Sequence, residues 1–205
     1  MVVAAVGTPD RSLLPADVAD SKALDPDRRQ ALARTLRSTD RLVVGTATIS
    51  VEQIDDPETD MNTLAVRGHA RAIEAALDDI DAPEPSTITG LADACDTSTD
   101  RFARRVTEAC AVTIDLDARH DADSEDELVA AASIVAKVTR DQHIEQLAGE
   151  YDHDVGSGYP SDPTTRNFLE QYAAEHGKVP PCARESWSTC ADVLEDVEQR
   201  GLEEF

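Results

Sequence analysis

Three side chains able to grip an anion recur at helical spacing. Ser133, Lys137 and Arg140 stand four and three residues apart, so a helix carries them on adjacent faces. A hydroxyl, an ammonium and a guanidinium near a helix start suit a phosphate-like ligand. The small residues from Ala130 to Ser133 permit close backbone approach. The same pattern also describes an ordinary packed helix with solvated charges. Carboxylates supply the complementary chemistry. Asp93 and Asp96 follow an apolar run and precede a helical pattern, a placement that fits a site at the carboxyl end of a strand in an α/β sheet. Asp96 reads more simply as a turn or capping residue. A second acidic group, Asp121, Asp123, Glu125 and Asp126, lies just before the helix that carries Ser133. His69 sits on an apolar stripe and reads as packed rather than catalytic.

The elements that must position these groups follow from periodicity and punctuation. Met1–Val6 reads as a buried strand, and Gly7–Asp20 as a loop with Pro9 and Pro15. Asp25-Pro26 starts a helix, with aspartate as N-cap and proline at the first helical position. That helix runs to about Ser38 and turns Ala31, Leu32 and Leu36 to the core. Arg41–Ile49 is the next strand and Asp55–Asp60 an acidic loop. Met61, Leu64, Ala65, Gly68, Ala72, Ile73, Ala76 and Leu77 form a helical stripe. Asp79–Pro85 is a linker, and Thr87–Ala92 a short strand weakened by Gly90. A helix to Cys110 and a strand over Ala111–Leu116 come next. The helix bearing Ser133 ends near Glu150. Two glycines in Gly156-Ser157-Gly158-Tyr159 allow positive φ and mark a turn. Asp162-Pro163 starts another capped helix, which Gly177 stops, and Pro180-Pro181 breaks the chain before Arg184 and Trp187. There is no internal repeat and no glycine-rich loop of the P-loop or dinucleotide kind.

The 205 residues are enough for one domain with a substantial core. Formal charge is -23, from 42 acids against 19 bases. Lysine is restricted to Lys22, Lys137 and Lys178. An acid-rich, lysine-poor chain resembles proteins of extreme halophiles. In dilute buffer such a chain repels nucleic acid, but in molar salt the Debye length falls to ~3 Å. Net charge therefore does not exclude a nucleic-acid substrate. Cys95, Cys110, Cys182 and Cys190 form no CxxC pair, which argues against a zinc site and for reduced intracellular thiols. No apolar run approaches the ~18 residues of a membrane span, and no basic segment precedes Val2–Val6 as in a signal peptide. The expected setting is the cytoplasm.

Two long segments carry a family resemblance. Ala-Ala-Ser-Ile-Val-Ala-Lys-Val-Thr-Arg-Asp (Ala131–Asp141) and Gly-Ser-Gly-Tyr-Pro-Ser-Asp-Pro (Gly156–Pro163) resemble ribonuclease HII of the archaeal kind. The likeness continues through Trp187 and, more weakly, back to Asp20. It implies an α/β fold: a ribonuclease H-like mixed sheet flanked by helices, with a helical C-terminal region. It implies an endoribonuclease, ribonuclease H of type 2, that cleaves the RNA strand of RNA–DNA hybrids and single ribonucleotides in duplex DNA. Carboxylates would hold Mn²⁺ or Mg²⁺. Asp93, in Asp-Ala-Cys-Asp…Arg-Phe, matches the family's metal-ligating aspartate. Asp123, in His-Asp-Ala-Asp, takes the fourth acidic position, with Asp121, Glu125 and Asp126 competing on composition. Ser21 and Lys22 match an Asp-Ser-Lys motif near substrate, and Asn62 a Leu-Asn before a helix. Ser133, Lys137 and Arg140 join the substrate contacts. Tyr159 matches the tyrosine that senses the 2′-hydroxyl. Gln199, Leu202 and Phe205 resemble a sliding-clamp-binding peptide with one aromatic instead of two. The implied organisation is a core over 1–150, a helical region over 151–198 completing the substrate site, and the clamp-binding tail 199–205. The implied state is a monomer.

One family feature does not occur. Its first strand carries Asp-Glu-Ala-Gly-(Arg or Lys)-Gly with two further acids, a motif absent from these 205 residues. Met1–Ala5 resembles the family's second strand instead. The expectation is that the chain begins inside the domain, that the central strand of a 3-2-1-4-5 sheet is missing, and that neighbouring strands are left unpaired. Poor stability and weak hydrolysis would follow, with a longer gene product fully active. The alternative is a non-catalytic relative that binds hybrid duplex or the clamp.

Overall fold

The computed structural model describes residues 1–16, 18, 24–78 and 88–203, with backbone alone from 200 onward. The Asp20-Ser21-Lys22 motif, the 79–85 linker and Phe205 lie outside the described residues. The chain divides into two compact units. The first comprises Met1–Ile49 with Thr59–Thr139, and the second Ser50–Glu58 with Arg140–Phe205.

In the first unit, strand β1 (Val2–Gly7) pairs antiparallel with β2 (Val43–Thr48), Val2 opposite Thr48. Helix α1 (Pro26–Ser38) lies between them in sequence. Asp25 caps it by accepting the Arg28 amide at 2.9 Å, and it buries Leu32, Ala33 and Leu36 rather than the expected Ala31. Helix α3 (Met61–Leu77), capped by Asp60, covers one face of β1 and β2. Two glycines set how closely it lies: a Cβ on Gly45 would come within 2.1 Å of the Ala72 carbonyl oxygen, and one on Gly68 within 2.7 Å of Val3 Cγ2. Val3 and Ala5 of β1 therefore meet Ala72 of α3. On the other face, Ala4 and Val6 meet Leu36 of α1 with Ala131 and Val135, which belong to α5 (Glu127–Ala148).

Strand β3 (Ile88–Asp93) pairs parallel with β4 (Ile114–Arg119), placing Asp93 opposite Arg119. Helix α4 (Thr99–Ala109) connects them and buries Phe102, Ala103 and Val106 against Ala65 and Val66 of α3 and Ala92 and Ala118 of the strands. The strand expected over Ala111–Leu116 starts later. Its first amide, Ala111 N, instead donates to Glu74 Oε1 at 2.7 Å, so this segment spends its donor on a side chain before the ladder begins. Among the described residues the strands form two two-stranded sheets, β1 with β2 and β3 with β4.

The second unit takes α5 from Arg140 onward, α6 (Pro163–His176) and α7 (Ser188–Glu203). Asp162 caps α6, and Gly177, in the left-handed region at φ 67°, ends it. Val155, Phe168, Leu169, Ala173, Cys190 and Val193 form its core, with Tyr151 edge-on to Phe168 at 5.1 Å. The segment expected as an acidic loop from Asp55 is preceded by a short helix, α2 (Val51–Asp55), closed by a Ser50–Gln53 capping box. Asp55 ends it and accepts the Glu185 amide at 2.8 Å and the Ser186 hydroxyl. Burial pushes its carboxyl up, but these donors more than offset that and hold it below the ordinary range. The four cysteines are free thiols.

Candidate active site

Asp93 is the last residue of β3, and its Oδ1 accepts the Ala122 amide at 3.2 Å. The ladder continues one step beyond it, Ala94 N donating to Arg119 O at 2.8 Å. After β4 the chain turns sharply at Asp121, a non-glycine residue held at φ 54°. Asparagine and aspartate tolerate this region better than most side chains. The turn feeds a short 3-10 segment, Ala122–Ser124, which presents Asp123. That carboxylate is only 7% exposed. Its Oδ2 accepts the Ser133 hydroxyl at a long 3.5 Å, and Lys137 Nζ donates to Ser133 Oγ at 3.2 Å.

Ammonium, hydroxyl and carboxylate thus form a chain along the first half of α5. The competing acids have other places. Asp121 and Glu125 are exposed. Asp126 accepts the Leu128 and Val129 amides at the start of α5 and pairs with Arg11 at 2.8 Å. Asp96 is buried at 3% exposure; the Arg101 guanidinium grips both its oxygens and holds the carboxyl far below the usual range. His69 packs edge-on against Phe102 at 5.0 Å and shares a hydrogen bond with Ala65 O, and burial pushes its pKa down.

Asp93, Asp123 and Ser133 line one cavity of about 620 Å³ within the first unit. Asn62 is exposed in the first turn of α3. The helix-start reading of Ser133 needs correction. α5 begins at Glu127, so Ser133 lies more than a turn inside it, and the dipole's effect fades within the first turn. The helix dipole therefore adds little at Ser133.

Arg140 belongs to the second unit, where its guanidinium lies 3.9 Å from the centre of the Tyr159 ring. The turn carrying Tyr159 needs both its glycines, Gly156 at φ 67° and Gly158 at φ 71°. Tyr159 is 50% exposed. Two residues underrated by pattern reading hold the turn. Thr165 is buried, donates to Val155 O and accepts the Gly158 amide, both at 2.9 Å. Asp162 caps α6 and also reaches back, its Oδ2 accepting the Ser157 hydroxyl and amide at 2.7 Å each. Those donors, with the Thr164 amide, lower its pKa from 3.8 to about 2. A hydroxyl in the first turn of a capped helix was the available signal for Thr165.

A folded pKa depressed in this way contributes stability that is complete above about pH 4 and is lost as pH falls through about 2. Asp162→Asn turns one amide nitrogen toward a donor. It should speed hydrogen exchange at Ser157 and Gly158 about tenfold at neutral pH, and the wild-type turn should loosen in the same way only between pH 4 and 2.

Among the described residues no group of three or more His, Cys, Asp or Glu converges as a metal cage. The Asp93 and Asp123 pair does fit a hard divalent ion that takes one or two protein carboxylates and fills its shell with phosphate oxygens and water.

The chain matches the ribonuclease HII family over residues 1–190. It is 51% identical over 196 residues to a ribonuclease HII of Haloarcula marismortui, covering 96% of this chain and 89% of that one. Two solved structures share its fold. The ribonuclease H2 of Pyrococcus horikoshii OT3 superposes with TM-score 0.76 at 31% identity, covering 97% of this chain and all of that one. The PCNA:RNase HII complex of Archaeoglobus fulgidus gives TM-score 0.77 at 34% identity, covering 94% and 88%. The architecture is accordingly the ribonuclease H-like α/β fold, strands of mixed direction flanked by helices with a helical C-terminal region. Agreement of sequence over nearly the whole length with agreement of fold places the chain in the ribonuclease HII family, the type 2 ribonuclease H endonucleases.

Proposed function

We propose that the chain cleaves the RNA strand of RNA–DNA hybrids, and single ribonucleotides embedded in duplex DNA, with a divalent ion held by Asp93 and Asp123. The observation that carries this is the shared placement of the two carboxylates: Asp93 bonds to the amide of Ala122, the residue before Asp123, and both line one cavity. A bound Mn²⁺ or Mg²⁺ supplies activation of water and stabilisation of the leaving 3′-oxygen.

The remaining roles belong to this chain's own groups. Ser133 orients Asp123 through its hydroxyl, and Lys137, held on Ser133, offers a positive charge to phosphate. Asn62, Ser21 and Lys22 contact the substrate backbone. Arg140 fixes the Tyr159 ring, and Tyr159 distinguishes ribose from deoxyribose by stacking where the 2′-hydroxyl lies. The relatives matched are ribonucleases, which speaks against a purely binding role.

The Archaeoglobus protein was solved with PCNA, and this supports a sliding clamp as partner of the tail. Gln199 is exposed on α7 and Leu202 lies in its last turn, while Phe205 is outside the described residues. Among the described residues no helix is long and apolar enough to cross a membrane; the family resemblance, separately, implies a cytoplasmic monomer.

The test is cleavage of a duplex carrying one ribonucleotide, beside an all-DNA duplex, with Mn²⁺, Mg²⁺ or chelator. It should be run at about 1 M KCl, where screening quiets the chain's negative field. Cutting only at the ribonucleotide, and only with a divalent ion, is expected. Tyr159→Ala should lower the preference for ribose about tenfold, the size of one lost base–aromatic stack. Chelator-resistant cutting, or equal cutting of both duplexes, would overturn the proposal.

A further inference from the structure

The turn that carries Tyr159 has one weak joint, and a single buried hydroxyl closes it. After the ring the backbone is already fixed. Pro160 restricts Tyr159 to extended conformations, and the Tyr159 carbonyl accepts the Asp162 amide at 3.0 Å. Before the ring stands Gly158 at φ 71°, a residue with no Cβ to limit its rotation. Rotation there would swing the ring as a unit. Thr165 removes that freedom. It is 5% exposed, and its Oγ1 accepts the Gly158 amide while donating to Val155 O, both at 2.9 Å. The Asp162 carboxylate lies 3.3 Å from the same hydroxyl, farther than Val155 O, so the one proton goes to the carbonyl. Gly156 rests on this side chain too: a Cβ there would come within 2.8 Å of Thr165 Oγ1. From α5, a Cβ on Gly158 would meet Ile144 Cδ1 at 2.8 Å and Arg140 Nη2 at 3.0 Å. The turn is thus held between α5 and α6, with Thr165 as its nearest anchor before the ring.

We infer that Thr165 is a positioning residue that sets the selectivity of Tyr159 for ribose. The inference rests on Tyr159 as the ring that senses the 2′-hydroxyl, and it names the group that aims that ring. Thr165 is too buried to meet substrate itself; it acts through the backbone, from the residue next to the ring. Arg140 covers one face of the ring at 3.9 Å, and Tyr159 is still 50% exposed, so its uncovered part is what a nucleotide meets. A displacement of about 1 Å from a productive geometry can cost a large part of a rate. A Gly158 joint without its anchor carries the ring through displacements of that kind. A merely structural Thr165 behaves differently: its loss lowers the Tm and leaves selectivity alone.

The test is a cycle of full-chain variants, assayed with Mn²⁺ on a duplex carrying one ribonucleotide and on its all-DNA counterpart. Thr165→Val keeps the shape and removes the hydroxyl, so the Gly158 amide and the Val155 carbonyl lose their partner. It should lower the preference for ribose about tenfold, the loss expected of Tyr159→Ala. Thr165→Ala serves the same arm should Thr165→Val not fold. Thr165→Ser keeps the hydroxyl and should restore the preference to within about twofold of wild type. Thr165→Val combined with Tyr159→Ala should be no less selective than Tyr159→Ala alone, because both act through one ring. Three results would overturn the inference while leaving Tyr159 its role: selectivity unchanged without the hydroxyl, selectivity lost equally in Thr165→Ser, or losses that multiply in the double variant. A ribose preference that survives Tyr159→Ala would overturn the inference together with the reading beneath it.

Discussion

Asp93→Asn should lower the cleavage rate by about 10³-fold while leaving the fold intact, the scale on which single charge-stabilising groups act in enzyme sites. The substitution keeps shape and keeps an oxygen able to accept the Ala122 amide, so the turn before Asp123 stays in place. What it removes is the formal charge, and hard divalent ions depend on charged oxygen ligands. Unchanged circular dichroism and melting, with loss of turnover and a raised Mn²⁺ requirement, is the expected set of results. Asp123→Asn should behave alike. Asp121→Asn is the control, because Asp121 is exposed and should change the rate less than about twofold, as surface substitutions away from a site do. Asp96→Asn separates structure from chemistry: it should weaken the Arg101 clamp and lower the Tm without altering the ion requirement. Full activity in Asp93→Asn would remove the two-carboxylate cradle from the mechanism.

Gly45→Ala should cost about 3 kcal/mol or more, at the upper end of the overpacking range. The added Cβ would stand 2.1 Å from Ala72 O, 2.3 Å from Ala76 N and 2.8 Å from Ala75 C. All three are backbone atoms of α3, so no side chain can swing aside, and the whole helix must retreat from β2. For a chain of this length that corresponds to a Tm lowered by about 6–12 °C. Gly177→Ala makes the contrast. Nothing lies within 4 Å of its added methyl, and only the left-handed φ resists, a penalty of about 1–2 kcal/mol. If Gly45→Ala melts with the wild type, the close seating of α3 on β2 is wrong.

Much of this fold could be read from local chemistry. Asp25-Pro26 and Asp162-Pro163 announce their helices because the cap and the φ restriction act within a few residues of the chain. Asp93 at a strand end was legible because the acid directly follows an apolar run. Asp123 could be picked from four neighbouring acids only through its motif resemblance, since composition treats Asp121, Asp123, Glu125 and Asp126 alike. Burial and the Ser133 contact that distinguish it depend on where α5 packs. The strand after α4 was placed three residues early because Glu74, far away in the chain, takes the Ala111 amide. Helix α2 was missed because its capping box lies next to acids that read as loop. Gly45 gave no pattern at all, for its necessity comes from a helix that packs across it.

Asp55 and its partners at Glu185 and Ser186 are separated by 130 and 131 residues. At 5–20 residues per second of synthesis, a ribosome delivers Asp55 about 6–26 seconds before the amides it will bind. The short helix is thus born long before its neighbours in the second unit. During that interval its carboxylate lacks the Glu185 and Ser186 donors it has in the folded chain. Folding of the second unit therefore closes only when the polypeptide returns to a segment translated 130 residues earlier.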